Sequence, residues 1–286
     1  MDNTGPVHLI TFYSDRKYRR AAVRLKRQAL RSSIVSSVEI WNPKLIRKIA
    51  PERFEKLRIL VKSNIQHNKG FGLWYWKPVI IEESLKRQKD GSILIYLDAG
   101  CYLNLENQVS ISRMAHYIKL ADTHGSLAMQ LMDGEFGIED LSEQSWTSEK
   151  VLDQLGLPSE YRLTNQIQAG IQFLKVNSAN RIFASQWRDA CERDNFANLI
   201  GDEIERSPLF ASHRYDQSIF SCLYKIEKKH YIQDETYFDP DWKISGRDYP
   251  IWAIRNRDGI DPFEIKVRDL FARLLRKFKS YLKVKK

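Results

Sequence analysis

The stretch Ser92-Ile-Leu-Ile-Tyr-Leu-Asp98-Ala-Gly100-Cys101 constrains this chain most. Ile93 to Leu97 is an unbroken apolar run, opened by an Asp90-Gly91 turn and closed by one acid. A strand with no polar alternation is buried on both faces, which is the condition of a central strand in an α/β sheet. Asp98 then stands at the carboxyl end of that strand, where open α/β sheets bind their ligands. A carboxylate there can hold a divalent cation or a ribose hydroxyl. The alternative is a turn-forming Asp-Ala-Gly that only closes the strand.

The surrounding pattern agrees with an α/β fold. Strands are expected at Val7–Tyr13, Ser37–Trp41, Ser126–Leu131, Gln168–Lys175 and His230–Gln233. Helices are expected at Tyr18–Leu30, Glu52–Ile65, Val79–Arg87, Gln108–Asp122, Ala179–Arg193 and Tyr215–Glu227, with a short one from Thr147 or Ser148 to Leu155. Strands alternating with helices predict a Rossmann-like, mainly parallel central sheet flanked by helices. A hydrophobic fraction of 43% supplies a substantial core. No linker or repeat divides the body, so 1–261 is expected to be one domain and 262–286 a C-terminal basic amphipathic helix. Met132 to Ser145 is polar and contains Gly, and reads as a mobile loop.

The formal charge of +10 is uneven: residues 263–286 hold nine Lys or Arg against two acids. Phe263, Val267, Leu270, Phe271, Leu274, Leu275, Phe278, Tyr281 and Leu282 share one helical stripe, a pattern that suits a membrane surface. The basic run Arg16 to Arg31 raises nucleic-acid binding as a rival, but no recognition motif accompanies it, so no nucleic-acid partner is expected. Cys101, Cys191 and Cys222 are odd in number and widely spaced, which points to a reducing, cytoplasmic setting. The polar segment Met1 to Pro6 lacks the order of a signal peptide.

Two further segments have a chemical reading. Gly70-Phe-Gly-Leu-Trp-Tyr-Trp-Lys-Pro78 combines glycines for close backbone approach with a Lys beside a helix start, where phosphate is well received. Trp74 and Trp76 are equally suited to a core under a loop. Ser212-His-Arg-Tyr-Asp-Gln-Ser218 opens an apolar helix. Asp216 or Ser212 can cap it, and the cluster of His213, Arg214, Asp216 and Gln217 also suits the hydroxyls of a sugar.

Tyr96-Leu-Asp98-Ala99-Gly100, with Asn104 beyond it, resembles the strand-end acidic motif of GT-A-type nucleotide-sugar-dependent glycosyltransferases. Gln168-Ala-Gly170-Ile-Gln-Phe-Leu and the following helix with Trp187 are similar to their Ala-Gly strand and helix. Asp216-Gln217 looks like an Asp-Gln element of retaining members. Gly70 to Pro78, Tyr96 to Gly100 and His213 to Ser218 together are similar to bacterial glycosyltransferase-like proteins of surface-polysaccharide loci. The likeness spans roughly residues 7 to 235.

The resemblance implies a nucleotide-diphosphate sugar donor and a glycan or lipid-linked acceptor. It implies donor contacts at Thr11, Phe12, Tyr13, Trp76, Lys77, Asp98, Ala99, Gly100 and Arg214. It places Gln168, Gly170 and Trp146 towards the acceptor, and Asp216, Gln217 and His213 at the reaction. The family's second acid is Gly100 here. Either Asp98 holds Mn²⁺ or Mg²⁺ with substrate oxygens or a downstream ligand such as His230, or Lys77 or Arg214 carries the positive charge instead. A non-catalytic carbohydrate-binding or scaffold protein of the same fold is the rival reading.

Overall fold

A computed structural model describes residues 5–63, 69–134, 138–201, 209–236 and 246–255. The chain opens with β1 (Val7–Phe12), α1 (Arg16–Arg31), β2 (Ser37–Trp41), α2 (Pro43–Ile49) and α3 (Pro51–Ser63). It continues through α4 (Gly70–Leu73), α5 (Trp76–Arg87), β3 (Ile93–Leu97), β4 (Tyr102–Leu103), α6 (Gln108–His124) and β5 (Ser126–Gln130). Three short helices follow: α7 (Glu143–Trp146), α8 (Glu149–Leu155) and α9 (Ser159–Arg162). Then come β6 (Ile171–Lys175), α10 (Ser178–Ile200), α11 (Asp216–Ile226), β7 (Tyr231–Gln233) and β8 (Ile251–Trp252). The basic helix expected over 262–286 lies outside the described residues. Among the described residues no helix is long and apolar enough to cross a membrane.

The main sheet has the order β2-β1-β3-β6-β5-β7. Five of these strands share one direction, and β6 runs antiparallel to β3 and β5. The expectation of a mainly parallel sheet therefore holds, with β6 as the exception. Its reversal follows from the route of the chain. After β5 the chain makes its excursion at the carboxyl edge and re-enters from there, as the bridges Gln130–Ile167 and Ser142–Asn165 show. A parallel re-entry would need a crossover back to the opposite edge.

β3 is buried at every position, as its apolar run requires. Leu94 and Tyr96 face the core built with α5, α10 and α11, while Ile93, Ile95 and Leu97 face the core under α1 and α6. The small sheet of β4 and β8 closes the loop after Asp98: Tyr102 stacks on Trp252 at 4.9 Å, and Asn104 donates to the carbonyls of Arg247 and Tyr249.

Three local features differ from expectation. Helix α5 starts at Trp76 rather than Val79, which puts Lys77 and Pro78 in its first turn. Helix α10 reaches Ile200 after a break at Arg193–Phe196, the point where the sequence pattern ends it. The stretch Met132–Ser145 is not simply a loop, because its last residues begin α7 and Glu143 is fully buried. Glu143 pairs with Lys225 of α11 at 2.6 Å, both side chains being 0% exposed. Lys225 also donates to the carbonyls of Thr164 and Asn165, and Ser221 donates to Glu143. This network fixes α11 against the excursion between β5 and β6.

Removing one partner of a buried ion pair strands the other charge. Lys225→Met is expected to lower unfolding free energy by about 3–5 kcal/mol, read by urea denaturation. The double variant Glu143→Leu/Lys225→Met is expected to regain most of that loss.

Candidate active site

The segment before α5 is a left-handed turn. Gly70, Phe71, Gly72, Leu73 and Trp74 all have φ between 49° and 81°. Each non-glycine residue there is strained by about 1–2 kcal/mol. Glycine is needed at position 70, where a Cβ would stand 2.2 Å from the Trp74 ring, and at 72, where it would stand 2.6 Å from Leu57. The turn is held by Trp76 Nε1 donating to the Gly70 carbonyl, and by buried Leu73. Tyr75 donates from its hydroxyl to Glu192, which also binds Arg53 and Lys56. These contacts fix the start of α5, and with it Lys77.

Lys77 is 4% exposed, and its ammonium lies between two carboxylates. Asp216 Oδ2, in the first turn of α11, is 3.0 Å away, and Asp98 Oδ1, at the tip of β3, is 3.7 Å away. The Asp216 contact lies off the hydrogen-bond direction, so charge attraction holds it. Burial works against the Lys77 charge, but the two carboxylates outweigh it and its pKa stands above the ordinary lysine value. Burial pushes Asp216 up to about 6, against the pull of Lys77, with Asp98 adding to the rise. The first turn of a helix favours a carboxylate, which offsets part of that burial.

Asp98 is the open member of the group, with its side chain 45% exposed. The Tyr96 hydroxyl donates to its Oδ1. Burial and the Asp98 charge hold the Tyr96 phenol well above its usual pKa, so it remains a donor. Asp98 N–H donates to the Gly170 carbonyl at 2.9 Å, and a Cβ on Gly170 would come within 2.9 Å of Asp98 Oδ2. Gly170 thus leaves room for the carboxylate, a different part from the acceptor contact expected of it.

Two aromatic groups flank this centre. Arg214 lies over the Trp146 ring at 3.8 Å, and its backbone N–H donates to the Trp146 carbonyl. Tyr215, at φ 51°, meets Trp74 at 5.7 Å between ring centroids, and Lys69 donates to its hydroxyl. The strained residue immediately precedes Asp216, a placement common at functional sites.

Several expected contacts take other parts. Thr11 is sealed in the core and Phe12 stacks on buried Trp76 at 3.8 Å, which leaves half-buried Tyr13 as the open residue of that trio. Ala99 and Gly100 are buried, with Ala99 packed on Ala21 and Ala22 of α1. Gln217 donates to Gln166 and accepts from Ala169 N–H, so it anchors α11 to the segment before β6. Gln168 is buried and donates to Thr236, which corrects its expected place at the acceptor.

His213 is also a correction. Its ring is buried, and a Cβ on Gly201 would lie 2.6 Å from it. Its Nδ1 accepts from Ser148 N–H at 3.3 Å. Burial lowers its pKa to about 4, so it is a neutral packing residue rather than a proton carrier near neutral pH.

The expected cation ligand His230 is corrected as well. It precedes β7 and stacks on His124 at 4.0 Å, beside the amino-terminal end of β5. Asp98 stands at the opposite edge of the sheet. Asp98 Oδ1 is engaged by Tyr96 and Lys77, and Gly100 adds no second acid. Among the described residues no cluster of three His, Cys, Asp or Glu could hold a metal ion. Among the described residues a protein-built site for Mn²⁺ or Mg²⁺ is therefore lacking; Asp98 would hold such an ion only together with substrate oxygens, and the fixed positive charge beside it is Lys77.

The sequence pattern places Tyr96 in the strand-end motif without a role of its own, and does not mark Gln166 or the Glu143–Lys225 pair. Tyr96 carried a signal, as the only residue of the β3 run with a polar tip. Gln166, Glu143 and Lys225 meet only through tertiary contacts and had none.

No protein-family model matches the sequence, and no curated protein matches it. Similar solved structures include mouse xyloside xylosyltransferase 1, at 10% identity and a TM-score of 0.45 over 90% of this chain and 100% of that one. A glycosyltransferase involved in the glycosylation of the major capsid of PBCV-1 is similar at 10% identity and a TM-score of 0.48, over 91% and 96%. The galactosyltransferase LgtC with donor and acceptor sugar analogues is similar at 12% identity and a TM-score of 0.40, over 89% and 84%. At these scores the reading of the site rests on the chain's own residues.

The native Asp216 pKa of about 6 lies above the unfolded value of 3.8, so the folded state binds this proton more tightly. Its share of stability is full below the unfolded pKa and is lost as pH rises through about 6. A carboxyl ¹³C NMR titration is expected to show a midpoint near 6, moving up in Lys77→Met and down in Asp98→Asn.

Proposed function

We propose that this chain is a glycosyltransferase that moves a sugar from a nucleotide-diphosphate sugar to a hydroxyl of a glycan or lipid-linked acceptor. One observation carries the reading: a half-exposed carboxylate, Asp98, at the carboxyl edge of the central sheet, backed by the buried pair of Lys77 and Asp216. The sequence resemblance at Gly70–Pro78, Tyr96–Gly100 and His213–Ser218 supports it, and favours an acceptor in bacterial surface-polysaccharide synthesis.

In this reading Tyr13 meets the nucleotide and Asp98 accepts hydrogen bonds from donor hydroxyls. Lys77, from behind Asp98, and Arg214, at the mouth of α11, supply positive charge towards the diphosphate. Fixed positive charge beside developing negative charge is among the largest catalytic terms. The acceptor oxygen bonds to the anomeric carbon as the bond to the diphosphate breaks. The acceptor proton passes to the departing phosphate oxygen, which grows more basic as that bond breaks. Attack from the leaving-group side retains configuration. Asp216 holds the Lys77 ammonium in place and is a positioning residue. The Trp146–Arg214 pair forms one wall towards the acceptor.

A thermal-shift screen of nucleotide-diphosphate sugars, with and without Mn²⁺, tests donor binding, since a ligand of the native state raises apparent stability. The expected result is a stabilising donor that still binds in chelator. With that donor, Asp98→Asn is expected to lower kcat by roughly 10²–10³, while thermal unfolding shows a folded protein. Activity is expected to fall below pH 6 as Asp216 gains its proton. Full turnover in folded Asp98→Asn overturns the reading. A donor that binds without transfer or hydrolysis favours the carbohydrate-binding rival.

A further inference from the structure

The outer face of α1 is charged in an unusual way. The helix Arg16–Arg31 has the sequence RKYRRAAVRLKRQALR, with eight basic residues and no acid. Ala21, Ala22, Leu25 and Ala29 face inward. At 3.6 residues per turn, Arg16, Arg20, Arg27 and Arg31 fall within a sector of about 60° on the opposite side. They form a row about 22 Å long. All four are exposed. Leu30, 49% exposed, lies beside the row, and Lys17 and Arg19 flank it.

Six arginines elsewhere in the described residues are matched. Arg53, Arg87, Arg113, Arg162, Arg181 and Arg188 each pair with a carboxylate. Among the described residues no carboxylate pairs with the four of the α1 row. The basic excess of the whole chain lies in α1 and residues 263–286, and the remainder is net acidic. An array of like charges spaced along a helix costs stability through mutual repulsion unless an anion covers it.

We propose that the outward face of α1 docks on an anionic lipid surface. A straight row of guanidinium groups on a convex rod meets a plane of headgroups along its full length. The exposed leucine beside it can enter the boundary with the acyl chains. Single-stranded nucleic acid would instead call for a groove with aromatic stacking platforms, and the outward face of α1 has neither. The location suits the site: only three residues separate β1 from α1 at the carboxyl edge, and Arg24 donates to the carbonyls of Ala99 and Cys101, just beyond Asp98. The surface contact is independent of the reaction proposed above.

The test uses the full chain and vesicles of phosphatidylcholine containing phosphatidylglycerol, against pure phosphatidylcholine. The native chain is expected to bind only the anionic vesicles, less well at high salt. Replacing Arg16, Arg20, Arg27 and Arg31 each by Gln is expected to weaken binding by about fivefold per arginine, several-hundred-fold together. Thermal unfolding should shift upward or stay level, since removing like charges relieves their repulsion, and donor binding should be unchanged. A control variant with Arg47, Lys48, Lys62 and Lys150 each replaced by Gln removes the same charge elsewhere. The proposal is overturned by a loss under tenfold in the α1 variant, by an equal loss in the control, or by native binding to pure phosphatidylcholine. It is also overturned if the native chain ignores anionic vesicles but binds single-stranded DNA in a way the α1 variant does not. Failure of donor binding in the native chain bears only on the transferase reading.

Discussion

A lysine ammonium almost sealed inside a protein needs negative charge beside it, and the site is arranged around this need. Lys77 meets Asp216 behind it and Asp98 in front. The three come from the start of α5, the start of α11 and the tip of β3. Each contact therefore fixes one helix end against another element. Asp216 carries much of the strain, since its pKa is pushed up to about 6 even with an ammonium at 3.0 Å. Asp98 keeps solvent access, so the pair behind it acts on whatever reaches the cleft.

Much of the remaining structure holds these three residues in register. The left-handed turn at Gly70–Trp74 sets the direction of α5, and the Glu192 cluster pins Tyr75 just before it. The Glu143–Lys225 pair and the Gln166–Gln217 bond hold α11 from the other side. The reversal of β6 brings Gly170 to the edge where Asp98 stands, and its missing side chain leaves the carboxylate its space. Buried Glu143, Lys225 and Gln166 are tolerated because each is partnered.

The charge inside the site and the charge on α1 work in opposite ways. Lys77 is matched on both sides and turned inward, whereas among the described residues the arginine row on α1 has no such match. In the proposed reading the two divide the work: a fixed charge near the reacting bond, and an open array that gathers an anionic surface towards it.

The apolar run Ile93–Leu97 determined a buried central strand, and with it the position of Asp98 at the binding edge. Period and punctuation likewise determined the alternation of strands and helices, because a face that must be buried leaves its mark on local residue choice. The motif residues Lys77, Asp98 and Asp216 were also visible as separate signals, but their convergence was not. Only the tertiary structure decided that they share one charge cluster, that His213 is a neutral packing residue, that His230 stands at the far edge, and that β6 is reversed. These depend on contacts between residues distant in sequence, through burial and partner geometry, and no local pattern of residue types encodes such distances.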